Sequence, residues 1–227
     1  MSPLPYRLAC FDVDGTLVGK TVFVWETLHE RLGTDPAARQ RGWEDYFSGR
    51  IPYSAWFEHD IELFRGRGGE TRERLLDAMQ GLELVEGVHE VLGALRDAGL
   101  RLAVVSGSLN LVLEKFELDQ YFDDVFINEL FFDRAGALLG WRPTPFDIER
   151  KAGALDWLLA KYDLEPSQTV FVGDNFNDVS IAKRAGKAIA FNSTCDELIQ
   201  CAAVNVPGTD LRDVLPHILG RPVEGCA

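Results

Sequence analysis

Asp12 and Asp14 stand two residues apart in Phe11-Asp12-Val13-Asp14-Gly15-Thr16, directly after the apolar run Leu8-Ala9-Cys10-Phe11. A carboxylate at the end of a buried strand needs a cation or hydrogen-bond donors to offset its desolvation. Asp and Gly also make ordinary turns, so this stretch alone leaves a turn-only reading open. Three further polar clusters fall where predicted strands end or helices begin: Ser106-Gly107, Lys151, and Asp174 with Asn177 and Asp178. Several carboxylates with one lysine and one hydroxyl suit Mg²⁺, a hard ion that takes oxygen ligands and keeps waters beside a phosphate. A helix turn after Ser106 would add backbone N–H donors for an anion.

The elements that position these clusters alternate between strand and helix. Tyr6–Phe11 reads as a buried strand, and after Val18 helical periodicity holds to about Leu84. Four short amphipathic segments follow one another there, carrying Val24, Leu28 and Leu32, then Trp43 and Phe47, then Trp56, Ile61 and Phe64, then Leu75 and Met79. They predict a four-helix bundle inserted after the first strand. From Glu86 the pattern is α/β: a helix from Gly87 to Ala98, a strand Leu100–Val105, and a helix after Ser106-Gly107-Ser108 through Phe116. A short strand Val125–Asn128 and a separate hairpin of Leu130–Phe132 with Ala137–Trp141 come next. A helix from Asp147 to Tyr162 and a strand Thr169–Val172 lead into Gly173-Asp174, and further units run to Leu219, with a loose tail beyond. Strand–helix alternation predicts a doubly wound, mostly parallel sheet. The carboxyl ends of its strands bring the polar clusters to one edge.

Bulk properties narrow the function class. The 227 residues are 46% hydrophobic and 26% charged, ordinary for a globular chain, with a formal net charge of −13. That field repels nucleic acid and anionic membrane surfaces, so neither is an expected partner. Cys10, Cys195, Cys201 and Cys226 have no metal-type spacing and predict no disulfide framework. Met1–Arg7 has no apolar run of signal length and no 18-residue apolar stretch occurs, so a cytoplasmic protein is expected. His29, His59, His89 and His217 show no paired spacing, which gives a zinc or histidine-nucleophile site no support.

The four clusters, in order, closely resemble the motifs of the haloacid dehalogenase superfamily, in its phosphoserine phosphatase-like branch. The first motif is Asp12-Val13-Asp14-Gly15-Thr16, the second Val104-Val105-Ser106-Gly107-Ser108, the third Lys151, and the fourth Gly173-Asp174-Asn175-Phe176-Asn177-Asp178. The resemblance implies a Rossmann-like core of residues 1–17 and 85–227, with residues 18–84 as a helical cap. It implies a phosphomonoester phosphatase in which Asp12 is the nucleophile and Asp14 the general acid and base. Mg²⁺ would be held by Asp12, the Asp14 carbonyl and Asp174, with Asp178 in direct or water-mediated contact. Ser106, Gly107 and Lys151 would hold the phosphoryl group, and Asn177 would orient it. Each has a bland rival: Ser106 as an N-cap, Lys151 as a solvated helix residue, Asp178 as a cap.

The cap is where the chain departs from that branch. Thr21 stands where the branch carries a glutamate for the substrate amine, and Asp60 where it carries an arginine for the carboxylate. The candidate substrate contacts are therefore Thr21, Trp25, Arg50, Tyr53 and Trp56, with phosphoserine only one possible substrate among small phosphomonoesters. Two other classes remain open: a phosphotransferase to an alcohol, and a non-catalytic phosphorylatable regulator. The inserted cap and Asp14 argue against the second. A monomer or homodimer is expected.

Overall fold

The computed structural model describes residues 5–220. In chain order the elements are β1 (Leu8–Phe11), β2 (Val18–Gly19), α1 (Val24–Leu32), α2 (Pro36–Phe47), α3 (Tyr53–Arg65), α4 (Arg72–Ala78), β3 (Glu83–Leu84), α5 (Val88–Asp97), β4 (Arg101–Leu109), α6 (Asn110–Lys115), β5 (Asp124–Phe132), β6 (Leu138–Arg142), α7 (Lys151–Tyr162), β7 (Thr169–Gly173), α8 (Val179–Arg184), β8 (Lys187–Phe191), α9 (Asp196–Cys201), β9 (Val204–Val206) and α10 (Leu215–Leu219). Seven strands form one sheet in the order β6-β5-β4-β1-β7-β8-β9. Every neighbouring pair is parallel except β5 with β6. β1 lies at the centre, and the chain visits one side of it and then the other. That reversal opens a crevice at the carboxyl ends of β4, β1 and β7.

Alternation along the strands divides the core between the two faces. Leu8, Cys10, Ala103, Val105 and Phe171 pack under α7, α8 and α9 through Leu155, Leu158, Ile181 and Leu198. Ala9, Phe11, Leu102, Val104 and Val172 face the other way, onto Val91, Leu92 and Leu95 of α5 and Ile218 of α10. This second buried cluster runs on into α1, α3 and α4 through Leu28, Phe57, Phe64 and Leu75. The helices after β1 have identifiable ends. Gly33 closes α1 at φ 67°, Asp35 caps α2 by accepting from Ala37 N ahead of Pro36, and Thr71 caps α4 by accepting from Arg74 N.

Two expectations are corrected. β4 does not stop at Val105: it runs to Leu109, which pairs with Asn128 after a register shift, and α6 opens only at Asn110. Ser106-Gly107-Ser108 is therefore extended chain rather than a helix N-terminus, and Ser106 is no N-cap. The expected short strand and separate hairpin are also one piece. β5 pairs in parallel with β4 over its first half and antiparallel with β6 over its second, so the hairpin is the edge of the main sheet. Cys10, Cys195 and Cys201 are free thiols. Cys226 and the tail from Arg221 lie outside the described residues. No helix among the described residues is long and apolar enough to cross a membrane.

Candidate active site

β1 ends at Phe11, so Asp12 leaves the sheet at its central carboxyl edge and stays buried. Lys151, the first residue of α7, is fully buried beneath it. Its Nζ donates to Asp12 Oδ1 at 2.6 Å and to Asp178 Oδ1 at 2.7 Å. A lysine with no exposed surface keeps its proton only where carboxylates offset the desolvation. Asp12 and Asp178 do so, and they raise its pKa despite burial. Burial acts oppositely on Asp12, holding its carboxyl well above the ordinary range against the pull of Lys151, with Asp178 and Asp14 adding repulsion.

Asp174 follows β7 on the neighbouring strand. Desolvation, then repulsion from Asp12 and Asp178, raises its pKa. Asp12, Asp174 and Asp178 each bring a carboxylate oxygen within 4.8 Å of the other two. Three acids so close, balanced by one lysine, form a donor set for a hard cation, and the all-oxygen ligand chemistry fits Mg²⁺. Asp178 Oδ2 accepts from the amides of Asp174 and Asn175, while its other oxygen takes Lys151, so it braces the cluster. Thr16 donates to Asp174 Oδ1 at 3.2 Å. Gly15 turns at φ 78°, and a Cβ there would lie 2.2 Å from Asp174 Oδ2. The glycine in the first motif is thus required twice, by conformation and by space.

Asp14 points away from this cluster. Ser108 Oγ donates to its Oδ1 at 2.6 Å and the Val24 amide to its Oδ2 at 2.7 Å. Burial raises its carboxyl to about 6, and these two donors moderate the rise. The two aspartates therefore sit in different environments, as division of nucleophilic and proton-transfer work requires. Ser108 did not figure among the site residues expected from sequence. Its signal was strand period: Ser106 and Ser108 lie two apart on extended chain and share a face.

One cavity of about 150 Å³ opens above Asp12, Asp14, Ser106, Gly107 and Asn177. Asn177 is buried, and its Oδ1 has no partner among the described residues. The helical segment roofs the cavity with Trp25, Tyr53 and Trp56, and two contacts tie this roof to the sheet. Trp25 Nε1 donates to the Gly107 carbonyl at 2.8 Å, and Asn128 Nδ2 donates to both that carbonyl, at 2.7 Å, and Tyr53 Oη, at 2.8 Å. Thr21 and Arg50 are not brought to the cavity. Thr21 donates to the Phe23 carbonyl, and Arg50 lies exposed, paired with Asp45. Asp60 does line the cavity, buried, with Oδ1 3.5 Å from His29 Nε2. Sequence reasoning also passed over Glu26, Arg39 and Asp147. Arg39 Nη2 is 3.4 Å from Glu26 Oε1, and Asp147 lies against Gly107 so closely that a Cβ there would meet Asp147 Oδ2 at 2.1 Å. No local pattern marks these three, because they converge from α1, α2 and the turn before α7.

Residues 6–186 match the family model described as haloacid dehalogenase-like hydrolase. The chain is 30% identical to a phosphoserine phosphatase of Archaeoglobus fulgidus over 82% of its own length and 53% of that protein's. It is 32% identical to the phosphoserine phosphatase SerB2 of Mycobacterium tuberculosis over 82% of this chain and 44% of the relative. The chain thus spans about half the length of these two relatives. A phosphoglycolate phosphatase of Vibrio vulnificus is 33% identical, with 83% of this chain and 84% of that one covered. Among solved structures, a substrate-bound phosphoserine phosphatase complex superposes with a TM-score of 0.72 at 23% identity, over 94% of this chain and 98% of the other. That likeness concerns the fold.

Proposed function

This chain belongs to the haloacid dehalogenase-like hydrolases, and on that premise we propose that it is a Mg²⁺-dependent phosphatase of small phosphomonoesters, working through an aspartyl-phosphate. The observation that carries the reading is the unlike setting of two buried aspartates two residues apart. Asp12 is held by Lys151, and Asp14 by Ser108 and the Val24 amide.

In the first step an oxygen of Asp12 attacks phosphorus, and the P–O bond to the alcohol breaks with its electron pair on the leaving oxygen. Asp14 gives that oxygen its proton, a role suited to a carboxyl raised to about 6. In the second step Asp14, now ionised, takes a proton from water as the water oxygen attacks phosphorus, and Asp12 leaves as carboxylate. Lys151 fixes Asp12 and supplies positive charge against the phosphoryl oxygens, and Ser106 and the Gly107 amide bind those oxygens. Asn177 orients the same group. Asp12, Asp174 and the Asp14 carbonyl would hold Mg²⁺, with Asp178 behind them. When bound, the ion neutralises the repulsion between carboxylates and phosphate. Residues 18–84 act as a cap over a core of 1–17 and 85–227, excluding water during the first step.

Phosphate release from a panel of small phosphomonoesters, with Mg²⁺ and with EDTA, tests the proposal alongside Asp12→Asn. Expected is turnover that needs Mg²⁺ and disappears in the variant. Mg²⁺-independent turnover, or activity surviving Asp12→Asn, overturns it.

A further inference from the structure

The part of the cavity beyond the phosphoryl end is both aromatic and acidic. Tyr53 and Trp56 meet at 90° with centroids 6.1 Å apart, and Phe47 meets Trp56 at 64° and 5.9 Å. Trp43 and Phe47, in contact at 4.6 Å, reach the mouth from α2, and both line the cavity while remaining partly open to water. Phe23 and Phe176 also line the cavity and meet edge-on at 6.3 Å. These rings meet at angles from 36° to 90°, and with three of them partly exposed the lining is an aromatic one whose π-systems can attract a cation.

The charges lining that space are predominantly negative. Arg39 is the only cationic side chain among the described residues that line the cavity, and Glu26 already pairs with it. Glu26, Asp60 and Asp147 supply three carboxylates, with His29 beside Asp60. A leaving group bearing a carboxylate would find the one arginine engaged and two further acids near it. The turn that presents Asp147 is also strained: Ile148, a β-branched residue lining the same cavity, sits at φ 50°. Such a conformation persists only where the surrounding structure over-determines it. The volume, about 150 Å³, is of the order that accepts a single six-membered ring, so the alcohol is small.

We infer that the preferred substrate is the phosphomonoester of a small alcohol carrying a substituted ammonium group, held by the aromatic walls and by Asp147. Aromatic faces attract a desolvated cation, and alkyl substituents on nitrogen bury apolar surface against the same rings. This inference deepens the phosphatase reading and rests on it.

The test compares kcat/KM, in Mg²⁺, for phosphocholine, its uncharged carbon isostere 3,3-dimethylbutyl phosphate, phosphoserine and phosphoglycolate, with p-nitrophenyl phosphate as a general reporter. The isostere matches the cation in size and leaves charge as the difference. Phosphocholine is expected to exceed the isostere by about tenfold, and phosphoglycolate by more. In Asp147→Asn and Trp43→Ala the ratio of phosphocholine to isostere should fall severalfold, a change that general damage to the fold would not produce. An isostere equal to or better than phosphocholine, or phosphoserine leading the series, overturns the inference while leaving the phosphatase intact. Turnover of p-nitrophenyl phosphate alone does the same. No turnover of any ester would instead strike at the phosphatase reading itself.

Discussion

Ser108 donates its hydroxyl to Asp14 across 2.6 Å, from the extended end of β4 to the turn after β1. The bond favours the ionised carboxylate, opposing the desolvation that raises Asp14 to about 6. Ser108→Ala removes that support and should move the Asp14 carboxyl further up, by about one unit for the loss of one charge-assisted hydrogen bond. The limb of the kcat/KM–pH profile that reports Asp14 should shift to higher pH by that amount. A profile superimposable on that of the parent would mean that Asp14 is not the titrating acid.

Stability should depend on pH in a direction set by the same acids. Asp12, Asp14 and Asp174 all have folded carboxyls above their unfolded value. Between about pH 4, where unfolded carboxyls titrate, and the folded values, the native state binds protons that the unfolded chain has released. Stability therefore falls as pH rises through this window. In EDTA, Tm should be higher at pH 5 than at pH 8. Mg²⁺ should raise Tm more at pH 8, and Asp174→Asn should flatten the slope. A metal-free Tm that climbs between pH 5 and 8 would contradict the assignment.

Lys151→Met leaves Asp12 and Asp178 buried without their cation. Breaking a buried pair in this way costs about 3–5 kcal/mol, since the remaining charges have no compensation. Equilibrium urea unfolding should register a loss of that size at pH 8. The loss should be smaller at pH 5, where protons can neutralise the acids instead. Loss of activity with parent-like stability at both values would assign Lys151 to phosphoryl binding alone.

Gly15→Ala would force a Cβ to within 2.2 Å of Asp174 Oδ2 in a backbone conformation at φ 78°. The carboxylate must move, and displaced metal-site geometry typically costs 10–100-fold in affinity. Mg²⁺ titrations followed by thermal shift should show a midpoint raised by about that factor. An unchanged midpoint would remove Asp174 from the ligand set.

Much of this protein was legible in the residues themselves. An apolar strand breaking into Asp12-Val13-Asp14-Gly15-Thr16 fixes a local conformation, and strand–helix alternation fixes a parallel sheet whose carboxyl ends must meet. Those two rules bring Asp12, Ser106 and Asp174 together without any knowledge of side-chain packing, and Lys151, in the first half of the helix expected from Asp147, is within reach of the same edge. The extent of β4 was not legible. Whether Ser106-Gly107-Ser108 is strand or helix start is decided by pairing with β5, a long-range contact, and that choice turns Ser108 toward Asp14. The cap was least legible of all. Thr21 follows from its offset after the first motif and Arg50 from being a cap arginine that could replace the one missing at Asp60, yet which side chains face a cavity depends on how whole helices pack on the sheet. Tertiary packing brought Glu26, Arg39 and Asp147 to the cavity and turned Arg50 outward to Asp45. Chemistry carried by backbone-determined strand ends can be read from sequence, whereas selectivity carried by helix faces is settled only when those faces meet.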